Sequence, residues 1–163
     1  ETREYLDFII ENVRRLSRDL SPSILEDLGL SAAIEWMADD FSRHHNIETD
    51  LDMENVDAHF SSDNHVIIYR IFQEILSNIG KHSRATFVKV CAGREGAQIA
   101  FSVEDNGHGF DMGEILMKRS TEKGMGVAAM QERALMLGSN LDIKTGKGEG
   151  TKVSFTVPVS KTL

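Results

Sequence analysis

Four polar residues stand at helical spacing within residues 65–83 and could together hold a metal ion and phosphates: Glu74, Asn78, Lys81 and His82. At about 100° per residue, all four fall on one flank of a helix, beside an apolar stripe. An amide oxygen, a carboxylate and an ammonium group suit Mg²⁺ that already carries ligand phosphates, because this ion keeps several waters and takes few protein ligands. A solvated face of an amphipathic helix is the simpler interpretation of the charged residues, but Asn78 lowers helix propensity and favours a site.

The stretch EDNGHGF (104–110) places Asp105 between a predicted strand and two glycines, Gly107 and Gly109. The preceding residues AQIAFSV (97–103) alternate between polar and apolar, as in a half-buried strand. One interpretation is a hairpin turn, for which Asp, Asn and Gly readily supply a positive φ. The other is that the backbone passes close to a ligand, with the Asp105 carboxylate directed at it.

Two further glycine-rich stretches follow in the chain, GMGVAAMQERA (124–134) and GKGEGTKVSF (146–155). We expect Gly124 and Gly126 to open a helix, whose N-terminal amides would form an anion site. In the later stretch, glycines flank a turn and Thr151 begins a strand. The chain has no G-x-x-x-x-G-K-[ST] phosphate loop and no H-R-D or D-F-G protein-kinase signature, so a nucleotide would be held in another way.

Hydrophobic periodicity predicts the elements that must position these groups. Helices are expected from Ser31, as the N-cap, to the solvated pair His44-His45, and over roughly 62–82 and 126–137. The predicted strands are 47–53, a hairpin of 87–95 and 97–105 around Glu95-Gly96, and two strands within 139–159. Helices on a mostly antiparallel sheet make an α+β fold. Gly80 has no explanation in this pattern, since a helical Gly costs about 1 kcal/mol relative to Ala.

Composition narrows the class of protein. The chain has 163 residues, 40% of them hydrophobic and 27% charged, which is typical of one globular domain with a real core. A net charge of −8 argues against a general nucleic-acid binder, although it allows a locally basic site for a small anion. Cys91 is the only cysteine, so an internal disulfide and a cysteine zinc cluster are excluded. We expect a cytoplasmic chain, whose longer parent could still be anchored in a membrane.

The first residues carry the 3-4 spacing of a helical seam. Its members are Leu6, Ile9, Val13, Leu16 and Leu20. Ser21-Pro22 ends the pattern, because the residue before a proline leaves the helical region. The seam predicts either a bundle or dimer helix or, more simply, a helix packed on its own domain.

The E-x-x-x-N-x-x-K-H helix and the three glycine stretches, in this order, resemble the ATP-binding domain of sensor histidine kinases, within the wider gyrase, heat-shock chaperone and mismatch-repair ATPase superfamily. QEILSNIGKH (73–82) is similar to the N box, and EDNGHGF, GMGVAAMQERA and GEGTKVSF are similar to the three glycine boxes. LSPSILEDLGLSAAIEWM (20–37) and the M-x-E-R-A run (130–134) resemble the nitrate-sensor and membrane-fluidity-sensor branch. The resemblance implies a Bergerat-type two-layer sandwich of helices on a mixed, mostly antiparallel sheet. It also implies a dimerisation-helix end at 1–21 and an ATP-binding catalytic domain at 22–163.

For the base of ATP, the resemblance implies a set of contacts at the strand ends. Asp105 would accept a hydrogen bond from the adenine amino group, and Thr151 would share the water network behind it. Gly107 and Gly109 would let the backbone lie against the base, and Val127 is counted among the ATP-binding residues.

For the phosphates and the metal, the resemblance implies a second set of contacts. Asn78 would hold Mg²⁺, and Glu74 beside it would orient a metal-bound water. Four residues would approach the phosphates: Lys81, His82, Gly124 and Gly126. Residues 111–124 would form a lid over the nucleotide. Lys118, Arg119 and Lys123 would give this lid positive charge or, equally, would belong to a solvated loop.

The acceptor histidine of such kinases lies on a first dimerisation helix and is followed by an acidic residue. None of the six histidines in this chain has an acidic residue after it, so we expect the acceptor to be absent and self-phosphorylation of this chain to fail. The expected partners are ATP, the phosphoacceptor helix, a second copy through the N-terminal helix of the full-length protein, and a response regulator, but no nucleic acid. The alternatives are an anti-sigma-type serine kinase and a nucleotide-sensing module without phosphate transfer.

Overall fold

The computed structural model describes residues 23–113 and 122–159, with the side chains of 122–124 excepted. Its helices are α1 (Ser23–Leu28), α2 (Leu30–His45), α3 (Ser62–His82) and α4 (Glu122–Met136), with a 3-10 turn at Asp57–His59. Its strands are β1 (Glu48–Met53), β2 (Phe87–Glu95), β3 (Gln98–Asp105), β4 (Asp142–Thr145) and β5 (Thr151–Pro158). The predicted dimerisation helix at 1–21 lies outside the described residues.

The strands form a five-stranded sheet in the order β1-β2-β3-β5-β4. The β1–β2 pair is parallel, joined by α3 as a crossover, and the other three pairs are antiparallel. The prediction of helices on a mixed, mostly antiparallel sheet is therefore confirmed. Among the described helices, none is both long enough and apolar enough to span a bilayer.

The core lies between α3 and the middle of the sheet. Phe101 of β3 and Phe155 of β5 are opposite each other in register and stack with their ring centroids 5.0 Å apart. Phe72 of α3 meets both rings edge-on, at 5.9 and 6.2 Å, and is fully buried. Edge-to-face contacts suit aromatic quadrupoles, so this cluster fixes the rotation of α3 on the sheet. The polar flank of α3 is thereby directed along the sheet surface toward α4, which packs against it.

The start of α2 corrects one detail of the predicted helix. Gly29, with φ +81°, is the N-cap, and Ser31 lies inside the helix. The cap comes from a distant residue, because the Asp57 Oδ1 atom accepts hydrogen bonds from Ser31 N at 2.8 Å and from Ser31 Oγ at 2.6 Å. A carboxylate at a helix N-terminus satisfies free amides and complements the dipole. The prediction of Ser31 as the N-cap was wrong, since the carboxylate that serves this end is 26 residues away.

Gly80, unexplained by the sequence, lies where α2 and α3 meet. A side chain at Gly80 would place its Cβ atom 2.6 Å from Cε1 of His45. That imidazole also packs on Phe41, with ring centroids 4.7 Å apart. His45 is therefore more than a solvated helix end, and the close approach of its ring explains the glycine.

The second face of the sheet carries no described helix and is polar. Lys89 of β2 lies 3.7 Å from Asp50 of β1, and Lys152 of β5 lies 3.1 Å from Glu104 of β3. Opposite charges alternate along this cross-strand row, although such exposed pairs contribute little to stability. The apolar side chains point to the helix face, where the functional groups also gather.

Candidate functional site

A pocket opens between α3, α4 and the adjoining ends of β3, β4 and β5, and encloses about 530 Å³ including its open mouth. Six residues predicted for the site line it: Asn78, His82, Asp105, Gly109, Val127 and Thr151. The remaining lining is largely apolar, from residues such as Ile79, Val103, Met130 and Val153. Mostly apolar walls with a few convergent polar groups are typical of a small-molecule site.

Asp105 lies at the strand end of this pocket. It is the last residue of β3 and stands directly opposite Thr151, the first residue of β5. The side chain is only 5% exposed, and its Oδ1 atom accepts a hydrogen bond from Gly107 N at 2.8 Å. The carboxylate is thus fixed by the turn that follows it, beside a hydroxyl from the neighbouring strand.

The glycine loop after β3 is not a hairpin turn. It turns back to the end of α3, where the Ser83 carbonyl oxygen accepts from His108 N at 2.9 Å, and His108 Nδ1 lies 2.6 Å from the same oxygen. A Cβ atom at Gly107 would overlap that carbonyl, and one at Gly109 would overlap the Gly146 carbonyl. Gly109 also has a φ of +60°, which L-residues avoid. The protein's own backbone requires both glycines.

Asn106 fixes the other side of this loop. Its Oδ1 atom accepts from Thr86 N at 2.9 Å and Phe87 N at 3.0 Å, and its Nδ2 atom donates to Thr86 Oγ1 at 2.9 Å. In the hairpin interpretation, this Asn would serve the turn, but the Asn106 side chain instead anchors the start of β2. A Cβ atom at Gly150, which has a φ of +73°, would overlap the Asp105 carbonyl oxygen, so the first and third glycine stretches meet at Asp105.

Thr145 was not predicted from the sequence as a residue of the site. Its Oγ1 atom accepts from Phe110 N at 3.0 Å, lies 3.1 Å from Gly150 O and lies 3.0 Å from Thr151 Oγ1. Thr145 therefore connects the loop after β3 to the turn before β5. The available signal was weak: a Thr just before Gly146, at the end of a short predicted strand.

The helix end of the pocket contains Glu74 and Asn78, which stand one turn apart on α3. Asn78 Nδ2 donates to Glu74 Oε1 at 3.3 Å, as the predicted shared flank requires. Gly126 of α4 lies against this pair, since a Cβ atom there would overlap Glu74 Oε1 and stand 3.4 Å from Asn78 Nδ2. Because the amide nitrogen faces Glu74, the amide oxygen faces the other way. An amide oxygen beside a carboxylate fits a hard cation that retains its waters.

Other predicted residues lie apart from the lining. Lys81 is exposed at the end of α3, and Gly107 and Gly126 stand behind the lining as close-approach positions. Gly124 falls in the first turn of α4, which the structure describes from Glu122 onward. Residues 114–121, the middle of the predicted lid with Lys118 and Arg119, lie outside the described residues, as does the side chain of Lys123.

Comparison with known proteins gives consistent matches. A family described as histidine kinase-, DNA gyrase B-, and HSP90-like ATPase matches residues 63–161, more than half of the chain. The sensor histidine kinase MctS of Rhizobium johnstonii is 33% identical over 157 residues, which are 96% of this chain and 33% of that protein. The sensor histidine kinase LiaS of Bacillus subtilis is 32% identical over 147 residues, which are 90% of this chain and 39% of that protein. The chain spans little more than a third of the length of these curated relatives.

A solved structure shares the fold. The histidine kinase domain of the Erythrobacter litoralis EL346 blue-light activated histidine kinase aligns with a TM-score of 0.68 and 21% identity, over 81% of this chain and 62% of that one. At this identity the likeness concerns the fold, and it confirms the predicted α+β architecture.

Proposed function

The chain belongs to the family of histidine kinase-, DNA gyrase B- and HSP90-like ATPases, and from that premise we propose that it is the ATP-binding catalytic part of a sensor histidine kinase. In this proposal the chain binds Mg·ATP and presents the γ-phosphate to a histidine on a phosphoacceptor helix. Residues 22–163 form the catalytic domain, and residues 1–21 form the end of a dimerisation helix.

One observation carries the proposal: Asp105 and Asn78, predicted for opposite ends of a bound nucleotide, line the same pocket. The buried Asp105 carboxylate would accept a hydrogen bond from the adenine amino group at the strand end. Apolar side chains around it, such as Val127 and Val153, would contact the flat faces of the base. The triphosphate would extend toward the helix end, where Asn78 and Glu74 stand.

The residues at the helix end fit Mg²⁺. Asn78 would supply an oxygen ligand, and Glu74, bonded to the Asn78 amide nitrogen, would fix the direction of that amide and accept from a metal-bound water. When bound, Mg²⁺ neutralises charge on the phosphate oxygens. His82 at the pocket wall, with Lys81 and the first turn of α4, would add positive potential near the phosphates.

Phosphoryl transfer asks the protein mainly for positioning and charge neutralisation. The chain would hold the base and the phosphates in a fixed direction and exclude water from the apolar pocket. The acceptor imidazole nitrogen would attack the γ-phosphorus as the bond to the β–γ bridging oxygen breaks and ADP leaves. That imidazole comes from outside this sequence in the proposal, because none of its six histidines precedes an acidic residue. We extend the proposal to a cytoplasmic chain that pairs through its N-terminal helix in a longer protein and serves a response regulator.

The decisive experiment supplies the missing acceptor. The chain is mixed with Mg²⁺, ATP labelled in its γ-phosphate, and a separate helical dimer that carries a histidine followed by an acidic residue. We expect acid-labile, alkali-stable label on that histidine, and no transfer with the Asn78→Ala variant. Acid-stable label on a serine of another protein would indicate a serine kinase instead. Tight ATP binding without any transfer would favour a nucleotide-sensing module, and failure to bind ATP would contradict the whole assignment.

A further inference from the structure

The sheet face opposite the helices carries charges in a regular order. Among the residues that the structure describes, no helix covers this face. One row of side chains crosses strands β1, β2, β3 and β5 in register, and its members, in that order, are Asp50, Lys89, Glu104 and Lys152. Each lysine pairs with a carboxylate on a neighbouring strand, at 3.7 and 3.1 Å, and all four side chains are about half exposed. The row therefore alternates in sign and faces solvent.

The rows beside this one are flat at their centre. The second row crosses the same four strands with Asp52, Cys91, Ser102 and Ser154. In the third row, Gly93 stands opposite Ala100. Because no long side chain rises from the middle of these rows, they leave a shallow, open cleft of about 570 Å³ on the sheet. A second flat surface can therefore approach this face closely.

A two-fold axis that runs parallel to the strands, between β2 and β3, matches the charged row to itself. Rotation about this axis reverses the order of the strands but moves no residue along them, so each row meets its own reverse. A row of negative, positive, negative and positive charges then faces positive, negative, positive and negative ones. Asp50 faces Lys152 of the second copy, and Lys89 faces Glu104 of the second copy. Every charge of the row meets an opposite charge.

The second row fits the same axis. Asp52 at one end faces Ser154 of the second copy, whose hydroxyl can donate to the carboxylate. The other two positions of this row are small and neutral. Strand β4 lies outside the overlap of the four strands, and its Lys144 and Asp142 pair with each other at 3.7 Å. Neither row brings like charges together.

We propose that this open sheet face is an interface for a second copy of the chain, packed face to face about that axis. Four strands with six residues each overlap over about 400 Å² per copy, which is at the low end for a specific contact. Exposed ion pairs also add little each. We therefore expect a weak, salt-sensitive contact that supplements a stronger dimer contact elsewhere. The nucleotide pocket lies on the helix face and stays open, so the interface goes beyond the proposed function and does not depend on it.

One pair of residues reports this contact directly. Within one chain, Asp50 and Lys152 are separated by three strand spacings, about 14 Å, which is too far for the two side chains to touch. In the proposed interface they face each other. A carbodiimide joins a carboxylate to an amine without a spacer, so we expect an Asp50–Lys152 amide in the product of twice the chain mass. The full chain is treated at high concentration in low salt, and the joined peptides are identified by mass spectrometry.

Charge reversals separate this interface from the ion pairs within one sheet. Lys89→Glu sets two carboxylates against each other at two symmetric positions, so the Asp50–Lys152 yield should fall about tenfold. Adding Glu104→Lys restores opposite charges between the copies and should restore the yield. Within each sheet, however, the double variant places like charges side by side on β1 and β2 and on β3 and β5. A thermal melt of dilute protein should therefore show lower stability, which ion pairs within one sheet cannot combine with a restored yield.

The control is Glu132→Lys, an exposed charge reversal on the helix face, which should leave the yield unchanged. The proposal is overturned if the Asp50–Lys152 amide is missing while neighbours within the sheet, such as Glu104 and Lys152, are joined. A yield that ignores both salt and the reversals at Lys89 and Glu104 would also overturn it, since such a product comes from random collision. None of these measurements requires a nucleotide, so failure to bind ATP would refute the proposed function alone.

Discussion

At the strand end of the pocket, the loops around Asp105 and Thr145 are joined by hydrogen bonds of 2.7 to 3.0 Å, most of them from backbone amides. At the helix end, Asn78 and Glu74 share one side-chain bond of 3.3 Å. The strand end is thus fixed by backbone before any ligand arrives, whereas the helix end depends on side-chain atoms that can rotate. Under the proposed function, this difference would mean that a preorganised surface binds the base, whereas the phosphates and metal would order the helix end.

We expect the largest effect from Gly109→Ala, which disrupts the packing of the loops at the strand end. The added Cβ atom would overlap the Gly146 carbonyl, at a φ of +60°. Backbone strain and overpacking each cost roughly 1–3 kcal/mol, so the free energy of unfolding in urea should fall by roughly 3 kcal/mol or more. Gly96→Ala is the matched control, because Gly96 has a φ of +63° with nothing within 4 Å, and should lose only about 1 kcal/mol. Equal losses would show that the strand end is not crowded.

Asp105→Asn tests whether the strand end of the pocket recognises the adenine amino group. The amide would turn a donor toward the adenine amino group, and we expect the affinity for ATP to fall about 100-fold, since a hydrogen bond to a charged group contributes roughly 1.5–3 kcal/mol. Calorimetry measures the loss, and a thermal melt checks the fold. Asp142→Asn, on an exposed position of β4, is the control and should leave affinity unchanged. Undiminished binding by Asp105→Asn would end the assignment of the base to this end.

Asn78→Ala examines the helix end in the same way. We expect the affinity for Mg·ATP to fall about tenfold, because loss of a metal-site group commonly costs 10–100-fold. ATP measured with a chelator should lose much less. Ser77→Ala, at the adjacent position of α3, should change neither value. Equal losses with and without Mg²⁺ would mean that Asn78 contacts the nucleotide rather than the metal.

We expect the smallest effect from Gly126→Ala, which tests the helix end of the pocket without disturbing the strand end. Its Cβ atom would displace the Glu74 carboxylate, but that group ends a flexible side chain and can move. Ala also gains about 1 kcal/mol of helix propensity over Gly, so stability should stay within about 1 kcal/mol of the unaltered protein. We expect Mg·ATP affinity to fall a few-fold as Glu74 leaves Asn78. A large loss of stability with unchanged metal dependence would place Gly126 in the scaffold alone.

Much of the helix end was readable from the sequence, because helical periodicity is local. Glu74 and Asn78 are one turn apart, and the prediction that they share a flank follows from 100° per residue. Asp105 was equally accessible, since it closes an alternating strand and precedes two glycines. Each of these residues lies within or next to the local sequence pattern that predicts it.

Contacts between distant segments could not be predicted from the sequence. Thr145 looked like an ordinary strand residue, and its importance comes from Phe110, which lies 35 residues earlier in the chain. Asp57 caps α2 from outside, so Ser31 was given a role that belongs to a distant carboxylate. Gly80 could be noticed but not explained until His45 was seen against it. Tertiary contacts of this kind leave no periodic signal.

The antiparallel pairing of β3 with β5 has a consequence for how the chain matures. Strands β2 and β3 meet across a tight hairpin, whereas the contact between Asp105 and Thr151 must wait for residues 106–150 to be traversed. Closing a long loop costs more conformational entropy than closing a short one, so contacts between residues distant in sequence form more slowly. We therefore expect a nascent chain whose β5 is still in the ribosome to have a protected hairpin and no affinity for nucleotide, which pulsed hydrogen exchange on stalled chains would reveal. Competence to bind would then mark the emergence of β5 from the ribosome.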